Sequence, residues 1–427
     1  MDGDDDGPAR RKGGCGAAPV LGALACLAVA AIALYKDGAF AGGGRLAEPH
    51  SLIMVADSGT FVGFGEASVL SAAATTLAED PNAGRFVCER ALRGVWFGQR
   101  ALLVTTGIGE THAALCLESI LQAYDGMIKE VIFLGTAGGS PAVGGIIDSD
   151  RCDAAPLEGV DVAVLEERVV GIGDVCVSPF STDWDCQHCT WAAPGAPAGA
   201  RVGGGACAAA PCSLHARADI FGDYGCSYFA AVDLADEVLR APRDMPPTSP
   251  AVADMEKRFW AATGRAAPLW EKAHAKRGPQ ARVHGYGECA EATSMTYWSG
   301  APYDELARDY VAALIDLADE GLGIAPQRNR TRADVLAISA MEGSGWMEAL
   351  KLSAKWMAGN VPSVNIRGIA DYTHEPLVRG KDGAWREDAS WLTGAERVNA
   401  TRDGYVEAIR TTSAVILALF ENRRPGA

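Results

Sequence analysis

The feature that most constrains the fold is a repeated pattern in which a short apolar run stops at a glycine turn. Residues 52–56, 101–106 and 131–134 are runs of the kind that forms buried strands. The run at 101–106 ends at Gly107, and a helical pattern follows it with Thr111 as the predicted cap. Strand, glycine turn, helix and strand in this order are typical of βαβ units. The pattern therefore predicts an α/β fold with a largely parallel, buried sheet.

The same alternation continues through the C-terminal half, whereas the middle of the chain departs from it. Further predicted elements are helices over 66–77 and 303–322, a helix beginning near Gly343, strands over 335–339 and 363–369, and a terminal amphipathic helix over 395–421. Between about 150 and 280, Pro, Gly, Ala and Cys dominate, and only residues 173–178 read as a strand. We therefore predict one α/β domain over 51–423 with a Cys-rich insertion at about 150–280.

The N-terminal segment predicts export from the cytosol. An uncharged run, 17–35, follows a basic cluster at 10–12, and roughly 19 helical residues would span about 28 Å, close to the thickness of a bilayer core. We predict a disordered tail over 1–16, a signal-anchor transmembrane helix over 17–35 and a Gly-rich linker over 36–50. The protein would then lie in the secretory pathway as a single-pass type II membrane protein. A cleavable signal, which would give a secreted protein, and an organelle transit segment are the alternatives.

The cysteines fit the same compartment. Of the 12 in the chain, those in the insertion would be paired as disulfides by an oxidising lumen. These disulfide candidates are Cys152, Cys176, Cys186, Cys189, Cys207, Cys212 and Cys226. The Cys-x-x-Cys pair at 186–189 is also compatible with half of a zinc site, but a translocated domain favours disulfides, so we predict no metal site. Asn329 and Asn399 lie in Asn-x-Thr triplets and are predicted glycosylation acceptors.

Composition and charge exclude two classes of protein. The chain is not wholly disordered, because 48% of its residues are apolar and these are enough to form a hydrophobic core. The formal net charge of -16 argues against a nucleic-acid partner, because phosphate backbones bind to basic surfaces. A small, uncharged ligand remains compatible with this charge.

Four glycine-bearing motifs occur along the chain, each at the end of a predicted strand. In order, they are Thr106-Gly107-Ile108-Gly109, Gly135-Thr136-Ala137-Gly138-Gly139, Ser339-Ala340-Met341-Glu342-Gly343 and Arg367-Gly368-Ile369-Ala370-Asp371. Together they resemble the nucleoside phosphorylase superfamily, in particular the branch with methylthioadenosine/S-adenosylhomocysteine nucleosidases and plant bark storage proteins. The resemblance covers roughly residues 51–147, 171–180 and 281–421. It implies a three-layer α-β-α fold, a nucleoside as the small-molecule ligand, no cofactor and assembly as a homo-oligomer.

The resemblance also implies roles for the motif residues. Asp371 matches the acidic residue that protonates the purine, and Glu342 matches the carboxylate that binds the ribose hydroxyls, with Met341 beside the sugar. Breaking an N-glycosidic bond builds positive charge on the sugar and negative charge on the leaving base, so an acid and a nearby carboxylate suit this chemistry. The other candidate substrate-binding residues are Thr136, Ala137, Gly138, Gly107 and Arg367. For Arg367 the sequence leaves open a structural or an electrostatic role.

Two departures from the family pattern bear on the reaction. Phe133 stands where hexameric phosphorylases carry a phosphate-binding Arg, and the phosphate loop after the first strand is missing, so hydrolysis is favoured over phosphorolysis. Nucleosidases activate water with a Glu shortly after the first strand. An ungapped alignment puts Phe61 there, whereas an insertion of about five residues puts Glu66 there. Glu66 is the candidate catalytic base, and the alignment leaves the choice open.

The function that these observations predict is cleavage of the N-glycosidic bond of a purine-type nucleoside. A strand within 283–291, followed by Tyr297 and Trp298, would supply an aromatic ring to stack on the base, although core packing explains these rings equally well. The alternative is a non-catalytic storage or nucleoside-binding protein similar to bark storage proteins. A third interpretation is a binding module built on the Cys-rich insertion, with the α/β domain as its scaffold.

Overall fold

The described residues form a mixed α/β domain around one large sheet. The computed structural model describes residues 50–146, 162–183, 187–189, 212–214, 227–241, 243–264, 266–294, 299–322, 330–354 and 361–424. Within these ranges, no helix combines the length and the apolar composition needed to cross a bilayer. The predicted tail and signal-anchor helix, 1–35, lie outside the described residues and stay predictions.

Among the described residues, the central sheet has 12 strands, and two two-stranded sheets lie outside it. The strands are β1 (His50–Val55), β2 (Thr76–Glu79), β3 (Arg90–Trp96), β4 (Gln99–Thr105), β5 (Ile128–Gly139), β6 (Val175–Ser178), β7 (Phe180–Asp183), β8 (Gln187–Cys189), β9 (Cys212–Leu214), β10 (Ser227–Phe229), β11 (Val283–Gly285), β12 (Cys289–Thr293), β13 (Leu336–Ala340), β14 (Ser363–Tyr372), β15 (Leu377–Arg379) and β16 (Trp385–Glu387). The two-stranded sheets are the antiparallel pairs β8–β9 and β15–β16.

The sheet forks at its longest strand. β1 pairs in parallel with β4 on one side and with β5 on the other. β5 then pairs in parallel with β14 and, at Gly138 and Gly139, antiparallel with β13. One branch runs from β13 through β12 and β7 to β10, and the other runs from β14 through β6 to β11. The fork brings the ends of β1, β5, β13 and β14 into one region of the molecule.

Helices cover both faces of this sheet. The described helices are α1 (Ser68–Ala73), α2 (Glu110–Tyr124), α3 (Val162–Arg168), α4 (Asp233–Arg240), α5 (Pro250–Ala262), α6 (Ala266–Arg277), α7 (Ala301–Leu322), α8 (Gly343–Ala354) and α9 (Gly394–Asn422). On one face, Phe420 of α9 shares a core with Ile132 of β5. On the other face, Trp346 of α8 stacks on Phe133 of β5, with ring centroids 5.7 Å apart. Because neighbouring strand residues point to opposite faces, the arrangement is helix, sheet and helix.

The strands and long helices of the predicted βαβ pattern are confirmed, with bounds shifted by a few residues. Two predictions about the first helices are wrong. The helix predicted over 66–77 ends at Ala73, because the β-branched Thr76 opens an edge strand that pairs with Val95 of β3. Thr111 is not the cap of α2. That helix begins one residue earlier, and Gly109 with its φ of 101° occupies the cap position.

The insertion contains more regular structure than its composition predicts. Besides the predicted β6, its described part holds β7 to β10 and helices α3 to α6. The longest of these helices, α5, begins at Pro250, and the hydroxyl of Ser249 accepts a hydrogen bond from the N–H of Val252. A Ser before a Pro is a helix-start signal, which the Pro- and Gly-rich neighbouring segments obscure.

Two disulfides join described residues, and they correct the predicted set. Cys176 is oxidised, as predicted, but its partner is Cys289 of β12, outside the insertion. The sheet fork explains this pairing, because it places β6 beside β12. Cys88 pairs with Cys116 of α2, and we predicted neither of them. Of the remaining candidates, Cys189 and Cys212 stand opposite each other in the β8–β9 backbone pairing, whereas Cys152, Cys186, Cys207 and Cys226 lie outside the described residues.

Three further predictions concern surface and specificity residues. The strand predicted within 283–291 is two short strands, β11 and β12. Tyr297, Trp298 and Asn329 lie outside the described residues. Asn399 is exposed on α9, and its glycosylation stays a prediction.

Candidate active site

Glu66 lies at the C-terminal end of β1, where it bonds to two strands. Its Oε2 accepts hydrogen bonds from the backbone N–H groups of Ala56 and Asp57, at 2.7 and 3.1 Å. Its Oε1 accepts hydrogen bonds from the backbone N–H and the hydroxyl of Thr136 in β5, at 2.7 and 3.1 Å. The buried carboxylate therefore joins the ends of two neighbouring parallel strands.

The loop that leads to Glu66 is closed on itself. The backbone N–H of Glu66 donates to the carbonyl of Asp57 at 3.0 Å. The Asp57 carboxylate accepts hydrogen bonds from the backbone of Gly59 and Thr60, and the φ of Gly59 is 107°, a conformation that glycine adopts most readily. Phe61 lies further along this loop and is 62% exposed. The inserted residues form a loop that leaves the end of β1 and returns to it. The carboxylate of Glu66, and not Phe61, therefore lies at the end of β1.

Arg367 of β14 provides a positive charge beside these strands. Its Nη2 lies 2.8 Å from Oε1 of Glu291 and 3.2 Å from Oε2 of Glu342. Its guanidinium carbon lies 4.6 Å from the ring centroid of Phe133, which is a cation–π geometry. Arg367 is therefore held by two carboxylates and one aromatic face. We call Glu66, Glu291, Glu342 and Arg367 the carboxylate cluster.

Two motif glycines make room for the carboxylate cluster. A Cβ at Gly135 would overlap Nη1 of Arg367 and lie 3.2 Å from Oε1 of Glu66, so both side chains border the same small space. A Cβ at Gly343 would overlap Oε2 of Glu291. These glycines are needed because charged side chains fill the space that a side chain of their own would take.

Glu342 connects the carboxylate cluster to the first glycine turn. It follows β13 and is buried. Its Oε1 accepts a hydrogen bond from the backbone N–H of Gly109 at 3.2 Å, and Gly109 caps the N-terminus of α2, which favours a nearby negative charge. Gly107 donates its N–H to the carbonyl of Ala56 at 3.1 Å, so it bonds to the end of β1. In this turn, the N–H of Gly109 therefore binds Glu342, and the N–H of Gly107 connects the turn to the end of β1.

Burial and repulsion raise the pKa of two carboxyl groups of the carboxylate cluster, Glu66 and Glu291. Burial, followed by the negative charge of Glu342, raises the pKa of Glu66 to about 7, although Arg367 and the backbone N–H groups act in the opposite direction. Burial also raises the pKa of Glu291, against the charge of Arg367. Burial lowers the pKa of Arg367, but the neighbouring carboxylates more than offset this, so the guanidinium stays charged. A carboxyl group with a pKa near 7 can accept a proton from water at neutral pH.

Glu291 and Asn365 belong to this site, although we did not predict them from the sequence. Glu291 lies in β12 and is 1% exposed, and Asn365 of β14 donates from its Nδ2 to Oε2 of Glu291. One sequence signal could have identified Glu291: it is the single charged residue within the strand Cys289–Thr293. Such a residue is almost never fully buried without a partner. Within the described part of the chain, no group of His, Cys, Asp and Glu side chains is arranged as a metal site.

Three of the four motifs meet at Gly138 of β5. In the sheet, Gly138 stands opposite Ser339 of β13 on one side and Asp371 of β14 on the other. Because neighbouring strands lie about 4.8 Å apart, the backbones of Ser339 and Asp371 are about 10 Å apart. Ala137 is buried beside this point, and Met341 is half-buried just past β13. The motif residues are therefore close together in space at the level of the backbone.

Asp371 lines a cavity of about 220 Å³ at the end of β14. The strand has a bulge immediately before this residue, and a bulge redirects the side chains that follow it. The walls include the rings of Phe259, Trp391 and His374. The residues that line the cavity do not include the carboxylate cluster.

Comparison with known proteins finds similar folds at low sequence identity. No protein-family model matches the chain, and no curated protein matches it. Its fold is similar to that of a 5′-methylthioadenosine/S-adenosylhomocysteine nucleosidase from Neisseria meningitidis in complex with methylthio-immucillin-A, with 13% identity and a TM-score of 0.43 over 87% of this chain and 99% of that one. The corresponding nucleosidase from Streptococcus pneumoniae has 14% identity and a TM-score of 0.42 over 87% and 98%. Futalosine hydrolase of Helicobacter pylori has 11% identity and a TM-score of 0.42 over 88% and 98%.

Proposed function

We propose that this protein hydrolyses the N-glycosidic bond of a purine-type nucleoside. The observation that supports this most is the carboxylate cluster, in which several carboxylates and a guanidinium are buried together near the ends of β1, β5, β13 and β14. The C-terminal edge of a parallel sheet is where α/β proteins bind ligands. In this proposal Glu66 is the base, Glu342 binds the sugar and Asp371 is the acid.

The proposed reaction is a displacement by water. Glu66 removes a proton from a water molecule whose oxygen attacks the anomeric carbon. The C–N bond breaks as this C–O bond forms, and the base leaves with the bonding electrons and takes a proton from Asp371. A pKa of about 7 suits Glu66, because a general base works best when its pKa is close to the working pH. The negative charge of Glu342 would offset the positive charge that develops on the sugar.

The charge of the carboxylate cluster favours water over phosphate as the nucleophile. Three carboxylates surround one guanidinium, and Glu291 and Glu342 already pair with it. A phosphate dianion would enter a buried space of the same sign of charge, which is costly. Phe133, whose ring lies against Arg367, offers phosphate no hydrogen-bond donor.

The test is base release by the purified full-length protein. Adenosine, inosine, uridine and methylthioadenosine are incubated with it, with and without phosphate, and the free base is followed by chromatography. We expect release from purine nucleosides without phosphate. Glu342→Gln should weaken both nucleoside binding and turnover, because the carboxylate meets the sugar before and during bond breaking. Glu396→Gln, at the start of α9, is the matched control, and it should leave both unchanged.

Two other outcomes would replace this proposal. Base release that requires phosphate would mean that the reaction is phosphorolysis. Nucleoside binding without base release from any of the four compounds would favour a non-catalytic binding or storage protein.

We also propose that the domain belongs to the secretory pathway through the segment 17–35. The disulfides Cys88–Cys116 and Cys176–Cys289 support an oxidising compartment, because cytosolic thiols are kept reduced. Asn399, the predicted glycosylation acceptor, is exposed, as modification would require.

A further inference from the structure

Glu291 is a buried carboxylate to which the proposed reaction gives no task. Its Oε1 lies 2.8 Å from Nη2 of Arg367, and its Oε2 accepts a hydrogen bond from Nδ2 of Asn365. Both contacts come from β14, although β12 and β14 belong to different branches of the forked sheet. Glu291 therefore ties Arg367 across the fork.

The chain keeps space for this contact at one glycine. A Cβ at Gly343 would overlap Oε2 of Glu291 and lie 2.7 Å from Oγ of Ser181. Gly343 directly follows Glu342, so the same short segment carries a carboxylate of the cluster and admits Glu291. A larger residue there would push Glu291 away from β14, because the interior is closely packed.

We propose that Glu291 is a positioning residue that holds Arg367 against Glu342. The guanidinium is thereby kept from pairing with Glu66. This inference rests on the proposed function, in which Glu66 must accept a proton. Among the described residues, Glu66 accepts four hydrogen bonds but forms no ion pair, although Arg367 borders the same space at Gly135. A base paired directly with a guanidinium would bind a proton much more weakly.

The charges around this contact determine the direction of the effect. Besides the carboxylate cluster, Tyr405 of α9 and Asp57 lie on the Glu66 side, joined by a hydrogen bond of 2.9 Å. Glu110 of α2 accepts a hydrogen bond from Thr293, two residues along β12 from Glu291. Neutralising Glu291 removes one negative charge and releases Arg367 towards Glu66. Both changes favour ionised Glu66, so it would lose its proton at a lower pH.

The test compares the pH profile of kcat/KM for the wild type, Glu291→Gln and Glu291→Asp. The acid limb of this profile reports the loss of a proton from the base. Glu291→Gln should move that limb by about one pH unit or more towards lower pH, and should lower the plateau because the base becomes weaker. Glu291→Asp retains the charge and should retain the limb near its wild-type position. Asn365→Ala removes a hydrogen-bond donor from ionised Glu291 and should move the acid limb in the same direction. This second variant keeps the proposal testable if Glu291→Gln does not fold.

The control is a second buried carboxylate outside the cluster. Glu256 accepts a hydrogen bond from the backbone of Ile172 at 2.6 Å, and Glu256→Gln should leave the acid limb in place. An unmoved limb in Glu291→Gln, or an equal movement in Glu256→Gln, would overturn the positioning role.

A readout without activity separates this inference from the proposed function. If the wild type releases no base, the proposed function fails, and the positioning role is measured by unfolding. Glu66→Gln changes how the free energy of unfolding depends on pH, and this change should be smaller in the Glu291→Gln background. An equal change in both backgrounds would overturn the positioning role as well.

Discussion

Replacing Glu66 by Gln should alter how stability depends on pH. The ordinary pKa of 4.5 for Glu66 applies to the unfolded chain, and burial together with the charge of Glu342 raises it to about 7 in the folded protein. Between these values the folded chain holds a proton that the unfolded chain has released. The stability contributed by this group is therefore complete below the unfolded pKa and is lost as the pH rises through the folded pKa.

The magnitude follows from the difference between the two pKa values. At about 1.4 kcal/mol per unit, the rise from 4.5 to about 7 corresponds to about 3 kcal/mol that the wild type loses over this range. Gln has no proton to lose. Its amide adds a cost that does not vary with pH, because its NH₂ group must face the backbone donors of Ala56 or Thr136. The free-energy difference between Glu66→Gln and the wild type should therefore change by about 3 kcal/mol, in favour of the variant, as the pH rises from 4.5 to neutrality.

Urea unfolding at a series of pH values, followed by tryptophan fluorescence, measures this change. Glu396→Gln is the control of opposite sign. Hydrogen bonds at the start of α9 lower the pKa of Glu396, so its contribution to stability is present above its ordinary pKa and is lost as the pH falls. A difference between Glu66→Gln and the wild type that stays constant across the series would refute the reasoning. Glu66 would then be ionised throughout, and it would be a poor base at neutral pH.

Three further predictions test the chemistry, the disulfides and the topology. Asp371→Asn should retain the fold and nucleoside binding but lower turnover by roughly 10²–10⁴-fold, the usual contribution of a general acid; full turnover would exclude Asp371 as the acid. Replacing Cys176 and Cys289 by Ser should lower the free energy of unfolding by about 4–5 kcal/mol, because their disulfide closes a loop with a sequence separation of 113; urea unfolding measures this, and an unchanged midpoint would contradict it. Alkaline carbonate should leave the protein in the membrane pellet if 17–35 is an anchor, whereas a soluble form that begins near Gly42 would indicate a cleaved signal.

The parallel part of the fold is predictable from the sequence because its strands are local patterns. β1, β4 and β5 are largely buried, so each is an apolar run that can be recognised without its neighbours. β2 is a largely exposed edge strand without such a run, and the helix predicted over 66–77 therefore extended through it. The partner of Cys176 could not be predicted, because this contact is not local in sequence. Cys289 is distant in sequence, and only the fork in the sheet brings the two together.

The parts of the candidate site that depend on residues close in sequence could be predicted, and the parts that depend on distant residues could not. The glycine motifs could be read directly, but the choice between Phe61 and Glu66 depended on the shape of the loop between them. Hydrogen bonds that close this loop on Asp57 return Glu66 to the strand end. The proposed role of Glu291 depends on its contact with Arg367, which lies on the other branch of the sheet. A lone charge in a strand predicts that a partner exists but does not identify it.

The carboxylate cluster is a poor means of stabilising a fold, and this bears on whether the protein is an enzyme. Replacing a buried ion pair by apolar residues is often neutral or stabilising. Here Gly135 and Gly343 lack side chains that could pack, and charged side chains fill the space instead. Carboxyl groups with perturbed pKa values and specific partners are typical of functional sites. If Glu66→Gln gains stability relative to the wild type as the pH rises and also abolishes base release, the energetic cost of Glu66 is linked to the chemistry. The same gain in a protein that binds nucleosides but releases no base would instead link the cluster to binding.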